Sequence, residues 1–355
     1  MSAVELPSAR LDTEPSTNAY RNLMFAFCLE PCRTPYSGLM STVPEVGPRE
    51  VEELGERIQR NVGKAVKAPP GVIREVLVAL MAGGHVLIED FPGVGKTALA
   101  RALARSIDAD HARVQCTADV LPADLVGTNV YDQRDNRFEF RPGPVFANVV
   151  LVDEVNRASP KTQSGLLECM QERQVTVDRQ THELARPFLV LATQNPVEYE
   201  GTYPLPEAQL DRFMVRASLG YPTADQEAEM LHDHAEGDRV RDIEPVAELA
   251  DVLAAQTATA AIHGSAALRQ YIVALLAATR ADPRVELGAS PRAGLMLFRA
   301  AKAHAALDGR DHALPDDVQR LAPAVLTHRL MLAPGAVPEQ RAAVVADALE
   351  RVPAL

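Results

Sequence analysis

The chain has 355 residues, with 48 Asp and Glu against 36 Lys and Arg, which gives a formal net charge of −12. This length gives room for two domains and an ample core, and the acidic balance argues against a general nucleic-acid binder. The longest early apolar run, residues 23–29, is too short to span a bilayer and lacks a signal-peptide layout. Four cysteines fit a reducing compartment. Composition therefore predicts a cytoplasmic protein without membrane insertion.

Residues 1–48 are rich in Pro, Ser, Thr and Glu. Such a segment buries too little apolar surface to fold by itself, so we predict an N-terminal extension without stable structure. The patterns that follow predict a core domain over residues 49–220 and a helical lid domain over residues 221–355.

A glycine loop between an apolar run and a helical run is the first segment that indicates chemistry. Residues 85–88 predict a strand and residues 98–104 predict a helix. The loop and the first helical residue are Pro92, Gly93, Val94, Gly95, Lys96, Thr97 and Ala98. Glycines let the backbone curl around an anion, and the helix N-terminus adds unpaired N–H groups. Lys96 supplies charge for the outer phosphates and Thr97 a hydroxyl for Mg²⁺, so the loop predicts an ATP site.

One position departs from the full phosphate-loop pattern, which has a glycine where this chain has Asp90. A carboxylate beside a phosphate site opposes anion binding unless it points away. A purely structural turn therefore remains an alternative, although the flanking strand and helix favour the phosphate site.

Two inserts are predicted within the core domain. Residues 118–145 contain the alternating run 138–140 before a Pro-Gly-Pro turn, which predicts a hairpin-like excursion. Residues 175–186 contain two short strand-like runs that flank residues 178–180, which predicts a second hairpin. Ordinary surface hairpins are the alternative to a binding role.

An acid pair follows a second strand. Residues 149–152 are all apolar, which is typical of a strand buried on both faces of a parallel sheet. Asp153 at its end would hold Mg²⁺ together with Thr97, and Glu154 would polarise the attacking water as general base. A surface acid pair after a core strand is the alternative.

A third strand, residues 188–192, ends in a polar segment that contains Asn195. An amide there can orient the attacking water, because the ends of parallel strands meet in one crevice. The alternative is that Asn195 caps the next turn, before Pro196.

Helical periodicity dominates from about residue 222 onward, with turn signals between the segments and many alanines. The scattered histidines are interpreted as surface or packing residues. Ser290 and Pro291 are typical of an N-cap and a first helical position. They place Arg292 in the first turn, where a cation opposes the helix dipole and an anion such as ATP would compensate it.

Taken together, these motifs closely resemble the MoxR family of AAA+ ATPases. The resemblance extends from about residue 54 to about residue 350. The segments that carry it are 153–163, 166–177, 192–196, 205–213, 287–293, 307–311 and 328–329. It implies an α/β fold: an AAA+ P-loop core with a parallel sheet between helices, followed by a small all-helical lid domain.

The resemblance also assigns roles to two arginines. Arg212 is similar to the finger that reaches into the site of a neighbouring subunit, with a salt bridge to Asp211 as the alternative. Arg292 is similar to the second sensor, which contacts phosphate from the lid, so that ATP would sit between core and lid. One departure is Lys64, which stands where the family has a glutamine near the adenine, and this substitution bears on nucleotide affinity.

The function implied by this resemblance is ATP hydrolysis in a ring, expected to be a hexamer, that remodels or activates protein complexes in a chaperone-like way. A partner with a von Willebrand factor A domain and a protein client are implied with it. A nucleic-acid motor and a non-hydrolysing nucleotide-dependent scaffold remain as alternatives. The acidic balance argues against the first, and the joint presence of Lys96, Asp153 and Glu154 argues against the second.

Overall fold

The computed structural model describes residues 46–195, 201–221 and 239–354, together with residues 223–225, 227 and 229. The predicted N-terminal extension lies outside the described residues up to residue 45, and a helix begins at Pro48. In the described part of the chain, no helix is both long and apolar enough to cross a lipid bilayer.

Strands and helices alternate over the first two thirds of the chain. The strands are β1 (Val86–Glu89), β2 (His111–Gln115), β3 (Gly127–Asp132), β4 (Arg137–Pro142), β5 (Val149–Asp153), β6 (Gln174–Val177), β7 (Gln180–Glu183), β8 (Leu189–Gln194) and β9 (Val215–Ala217). The helices are α1 (Pro48–Gly63), α2 (Pro70–Met81), α3 (Lys96–Ser106), α4 (Pro122–Val126), α5 (Pro160–Glu172) and α6 (Glu207–Leu210). Short 3-10 turns at Pro144–Phe146 and Val155–Arg157 flank β5.

A parallel sheet forms the centre of the fold. Within the described residues it has five strands in the order β2-β5-β8-β1-β9. Side chains alternate between its faces, so Val149 and Leu151 join the core under α1, α2 and α3, whereas Val150 and Val152 join the core under α5. Burial on both faces explains the continuous apolar runs, and the predicted α/β core is confirmed.

Antiparallel hairpins occupy the two predicted insert regions. One pairs β3 with β4 and the other pairs β6 with β7. The hairpins touch each other, because Asn129 Nδ2 donates to Asp178 Oδ2 at 2.8 Å and the Phe140 and His182 rings stack at 3.9 Å.

The C-terminal part is mainly helical, with α7 (Leu249–Ala261), α8 (Ala266–Arg280), α9 (Pro291–Leu307), α10 (Pro315–Leu326) and α11 (Gln340–Arg351). It also contains a short antiparallel pair, β10 (Val285–Leu287) with β11 (Met331–Leu332), which the helical periodicity did not predict. Helices α7 and α9 pack against α1 and α2, and the chain from residue 44 onward forms one compact unit. The domain boundary near residue 220 therefore stays a prediction.

His85 links three elements at the start of β1. Its Nδ1 accepts from Val190 N–H at 3.0 Å, so Nε2 donates to Met170 O at 3.0 Å and the ring is neutral. Complete burial, with Arg173 and Arg299 nearby, lowers the pKa of His85 to about 4.

We expect stability to fall with acid at this position. Below its ordinary pKa of about 6.5 an unfolded His85 takes up a proton, whereas the folded ring stays neutral down to about pH 4. The loss by pH 4 amounts to about 3 kcal/mol in the free energy of unfolding. Burial also raises the pKa of Glu75 and lowers that of His328, so both groups add to the pH dependence of wild type. Urea titrations of wild type and His85→Asn between pH 7.5 and 4.5 test the expectation, since the difference between the two proteins isolates the His85 ring. A wild-type pH slope in the variant would contradict it.

Candidate functional site

The phosphate loop links β1 to α3. Gly93 has φ 85° and Gly95 has φ 96°, both in the left-handed region that glycine enters without strain. A Cβ added at either glycine would meet nothing within 4 Å, so the loop faces open space. Pro92 is exposed, Val94 is buried and Ala98 packs against the core.

The start of α3 presents its donors toward the same space. The first intrahelical bond runs from Leu99 N–H to Gly95 O at 2.9 Å, and no side chain caps the helix. The N–H groups of Lys96, Thr97 and Ala98 therefore have no intrahelical partner. Lys96 Nζ donates to Asp90 O at 3.0 Å, which holds the ammonium over the loop. This donor set fits an anion at a helix N-terminus.

Asp90 does not oppose an anion in this loop. Its carboxylate is buried and accepts from Ser218 Oγ at 2.9 Å, Gly220 N–H at 3.1 Å and Leu219 N–H. The side chain therefore turns toward the segment after β9 and joins the ends of β1 and β9. The departure from glycine at this position is compatible with a phosphate site.

Asp153 and Glu154 end β5 at the same edge of the sheet. Asp153 Oδ1 accepts from Thr193 Oγ1 at 3.2 Å, and Oδ2 accepts from Arg113 Nε at 2.7 Å. Glu154 has φ 56°, which is in the left-handed region. Its backbone N–H donates a hydrogen bond to Thr193 Oγ1 at 2.9 Å, which helps to hold this conformation. Its carboxylate forms an ion pair with Arg157 at 2.9 Å. A carboxylate and the Thr97 hydroxyl form a donor set suited to Mg²⁺.

Asn195 lies between these two groups. It follows β8, and β8 pairs with β1 on one side and with β5 on the other. The predicted convergence of three strand ends is therefore present, and we name this side the carboxyl edge of the sheet. The side chain of Asn195 is half-buried there.

Arg212 and Arg292 lie together elsewhere. Burial lowers the pKa of Arg212 and the nearby Arg292 lowers it further, while Glu168 and Glu172 of α5 raise it. Arg292 Nη1 lies 3.5 Å from Gln171 Oε1 near the end of α5. Both arginines are half-buried, and the buried Nε of Arg212 has no hydrogen-bond partner among the described residues.

This pair lies at the opposite, amino edge of the sheet. Helix α5 runs back from the carboxyl edge, and Met170 near its end meets His85 at the start of β1. Met214, two residues after Arg212, donates its N–H to His85 O at 2.8 Å. Strand β1 alone spans about 13 Å. The expectation that Arg292 meets ATP between the core and lid of its own chain is therefore not met, because the lid helices pack at the other end.

Asp211 is held by other residues than Arg212. Its Oδ1 accepts from Arg329 Nε at 2.8 Å and its Oδ2 accepts from Ser290 Oγ at 2.9 Å. Ser290 also N-caps α9, as predicted, with Ala293 N–H at 3.1 Å. Burial lowers the pKa of Arg329 to about 10 although Asp211 raises it. Among the described residues, Asp211 thus pairs with Arg329 and not with Arg212, the pairing that was the alternative.

Comparison with known proteins identifies the family. Residues 85–215 match the ATPase family associated with various cellular activities (AAA), and residues 277–351 match the AAA lid domain. The chain is 39% identical to the chaperone MoxR1 of Mycobacterium tuberculosis over 84% of this chain and 83% of that protein. This chain is a member of the MoxR family of AAA+ ATPases.

Two further relatives extend the comparison. The uncharacterized protein YeaC of Bacillus subtilis is 51% identical over 73% of this chain and 81% of its own length. A crystal structure of a candidate ATPase from Cytophaga hutchinsonii superposes with a TM-score of 0.79 and 38% identity, covering 87% of this chain and 97% of that one. The predicted MoxR family and the fold class are confirmed.

Lys64 of this MoxR protein has a local partner. Its Nζ donates to Asn61 Oδ1 at 2.9 Å, and the buried Asn61 donates to Ser106 Oγ at 3.0 Å and Glu244 O at 2.9 Å. The lysine therefore stabilises the end of α1.

His304, Asp308 and Asp317 have ligand atoms within 4.8 Å of one another, a spacing that could hold a metal. Arg310 already bonds both carboxylates, however, and Arg74 bonds Asp308. Burial would raise the pKa of Asp317, but Arg310 and His304 lower it to about 2. This cluster is an ion-pair network, in agreement with the interpretation of His304 as a packing residue.

Arg113 is a site residue that the sequence patterns missed. It belongs to the exposed edge strand β2, whose residues His111–Gln115 include no apolar run. The sequence offers only a cation in the segment before β5 as a signal. That cation points to the site only once the strand register is known, because Arg113 pairs with Leu151, two residues before Asp153.

Proposed function

We propose that this protein assembles into a ring, hydrolyses ATP and uses the resulting motion to remodel or activate protein complexes. The observation that carries the proposal is the division of the site. Lys96, Asp153 and Asn195 lie at the carboxyl edge of the sheet, whereas Arg212 and Arg292 lie at the amino edge. One chain therefore holds two incomplete halves, which a second copy would join.

The carboxyl edge would bind the nucleotide. The loop from Gly93 to Thr97, with its open N–H groups, would hold the phosphates, and Lys96 would neutralise the outer ones. Thr97 and Asp153 would hold Mg²⁺, which supplies charge neutralisation on the phosphates when bound. Arg113 and Thr193 fix the orientation of the Asp153 carboxylate.

Glu154 would act as general base and Asn195 would orient the attacking water. Glu154 directly follows Asp153, the proposed magnesium ligand, and has a left-handed backbone conformation at the end of β5. The ion pair with Arg157 must loosen for the carboxylate to accept a proton. Hydrolysis would therefore require a local rearrangement at this pair.

The amino edge would complete the site of a neighbouring subunit. Within the described ranges the buried Nε of Arg212 has no hydrogen-bond partner, and Arg292 adds a like charge nearby. Both observations favour an anion between Arg212 and Arg292. Phosphate oxygens of the neighbour's ATP would fill this place. An arginine supplied in this way is worth roughly 10³–10⁵ in rate.

The hairpin β3–β4 would contact a protein client. Its Tyr131 is 47% exposed and its Phe138 is 72% exposed, with ring centroids 5.2 Å apart. Paired exposed aromatics favour a binding surface. A chaperone-like role is further supported by the name of the M. tuberculosis relative. A partner with a von Willebrand factor A domain is part of the proposal through the family resemblance alone.

The ATPase rate per subunit, measured against protein concentration together with sizing in ATP, tests the proposed function. We expect a steep rise as rings form, because each site needs a second chain. Turnover that does not depend on concentration would contradict the ring, and the absence of turnover in an assembled ring would favour the scaffold. Turnover stimulated by DNA would favour the nucleic-acid motor.

Phe138→Ser should keep basal ATP turnover and lose its stimulation by an unfolded protein such as reduced carboxymethylated α-lactalbumin. The phenyl ring of Phe138 is largely solvent-exposed, so the free energy of unfolding should change by less than about 0.5 kcal/mol. Val273→Ser is the matched control, since Val273 is 62% exposed on α8. Stimulation that survives in Phe138→Ser, or is lost equally in the control, would exclude this hairpin as the contact.

A further inference from the structure

A pocket of about 350 Å³ lies at the amino edge of the sheet, apart from the phosphate loop. Its walls come from the end of α2, the residue after α5, and helices α7 and α9. Arg173, Arg299 and Lys302 line it, and among the described residues no carboxylate does. Its volume is within the range of small-ligand sites. Three cations thus share one cavity in a chain whose net charge is −12.

The two guanidinium groups converge on Gly83. Arg173 Nη2 donates to Gly83 O at 2.8 Å, and Arg299 Nη2 donates to Ala82 O. A Cβ added at Gly83 would lie 2.8 Å from Arg173 Nη2, so a glycine with φ +60° lets this guanidinium approach closely without displacement. Lys302 Nζ donates to Ala260 O near the end of α7. These carbonyls carry only the partial charges of helix ends.

The charges are poorly compensated. Burial lowers the pKa of Arg173, and Arg186 and Arg299 lower it further. Burial alone lowers the pKa of Lys302 and of Arg299, although Arg299 keeps part of its side chain open to solvent. Among the residues that the structure describes, no carboxylate counteracts this at any of the three cations. Cations that lose hydrating water, and have no carboxylate in its place, favour the binding of an anion, because the anion supplies the missing negative charge.

The remaining lining offers a hydroxyl and an apolar wall. Thr259 is 2% exposed and its Oγ1 has no hydrogen-bond partner among the described residues. Met81, Ala260 and Phe298 form the apolar part, and Lys302 Nζ lies 5.7 Å from the centre of the Phe298 ring. A buried hydroxyl without a partner is uncommon.

We propose that this pocket binds a small organic phosphate. Three cations match a phosphate dianion, whereas a single carboxylate would leave two positive charges uncompensated, and arginine forks suit phosphate oxygens. The volume exceeds that of one phosphate group, and the wall formed by Met81 and Phe298 would cover an apolar or aromatic remainder of the ligand. The pocket is separate from the phosphate loop of its own chain, because the two lie at opposite edges of the sheet.

A phosphate bound in this pocket would connect segments of the chain that lie next to Arg212 and Arg292. Arg173 directly follows α5, near whose end Gln171 meets Arg292, and Arg299 lies two helical turns after Arg292 on α9. A phosphate bridging Arg173 and Arg299 would tie α5 to α9. We therefore expect the ligand to raise the unfolding temperature of the full chain.

Isothermal titration of the full chain with phenyl phosphate tests the proposal. Lys96→Ala serves as the background, so that the phosphate loop does not contribute. We expect one site per chain, with phenyl phosphate binding at least about tenfold more tightly than benzoate or inorganic phosphate. Arg299→Gln and Lys302→Gln should each weaken binding about tenfold or more, since each removes a charged donor. Arg269→Gln, at an exposed position on α8, should bind unchanged.

Several results would overturn the proposal. These are no binding at millimolar phenyl phosphate, equal affinity for benzoate, equal affinity for inorganic phosphate, or unchanged binding in Lys302→Gln. If Arg299→Gln fails to fold, Lys302→Gln decides alone. Binding to wild type that disappears in Lys96→Ala would place the ligand in the phosphate loop and also overturn the proposal.

Discussion

Glu154→Gln should bind ATP as tightly as wild type and hydrolyse it about 10²–10⁴-fold more slowly, the range expected for loss of a general base. The amide keeps the size of the side chain and leaves the phosphate loop and Asp153 intact. It cannot accept the proton of the attacking water, and it loses the ionic attraction to Arg157, whose Nε lies 2.9 Å from the Glu154 carboxylate.

Single-turnover hydrolysis measured beside equilibrium binding of ATP separates the two effects. Glu183→Gln is the matched control, because it makes the same change in an exposed residue of β7. The control should hydrolyse ATP at the wild-type rate. Wild-type turnover in Glu154→Gln would remove this residue as the base, and weakened ATP binding would assign it a role in holding the nucleotide.

The features that were predicted correctly from the sequence depend on residues that lie close together along the chain. The glycine loop stands between an apolar run and a helical run, so its place after β1 follows from neighbouring residues. Asp153 ends a wholly buried strand and Asn195 follows another, and the rule that parallel strand ends converge brings them to one edge. The N-cap at Ser290 was predictable for the same reason, since caps involve residues three positions apart.

Contacts between distant segments could not be predicted in this way. Asp90 is held by Ser218 and its two neighbours, about 130 residues later, so its sequence context suggested only a misplaced carboxylate. Arg113 reaches Asp153 from an edge strand without an apolar run, so its strand went unrecognised.

The position of the lid is the largest difference from expectation. Arg292 occupies the predicted first turn of its helix, but periodicity does not encode which end of the sheet that helix meets. Packing of α9 on α1 and α2, together with the link from Ser290 to Asp211, places it at the amino edge. The sensor role of Arg292 therefore becomes a proposal about a neighbouring chain.

Arg212→Ala should retain ATP binding and lose about 10³-fold or more in turnover, because the arginine that would stabilise charge on the transferred phosphoryl group is absent. Arg292→Ala should behave similarly if the two arginines serve one site. Lys96→Ala should also lose turnover, but through loss of ATP binding, since it damages the phosphate loop while leaving the amino edge intact. Steady-state turnover of each variant ring, with ATP binding measured in parallel, establishes these defects separately.

Mixing the two kinds of variant distinguishes a shared site from a self-contained one. In a mixed ring, a Lys96→Ala subunit would lend its intact Arg212 to the intact phosphate loop of an Arg212→Ala neighbour, so turnover should return although neither parent is active. A chain with both substitutions cannot donate Arg212 and is the matched control. Failure of the mixture to regain activity, despite proven subunit exchange, would mean that each chain completes its own site.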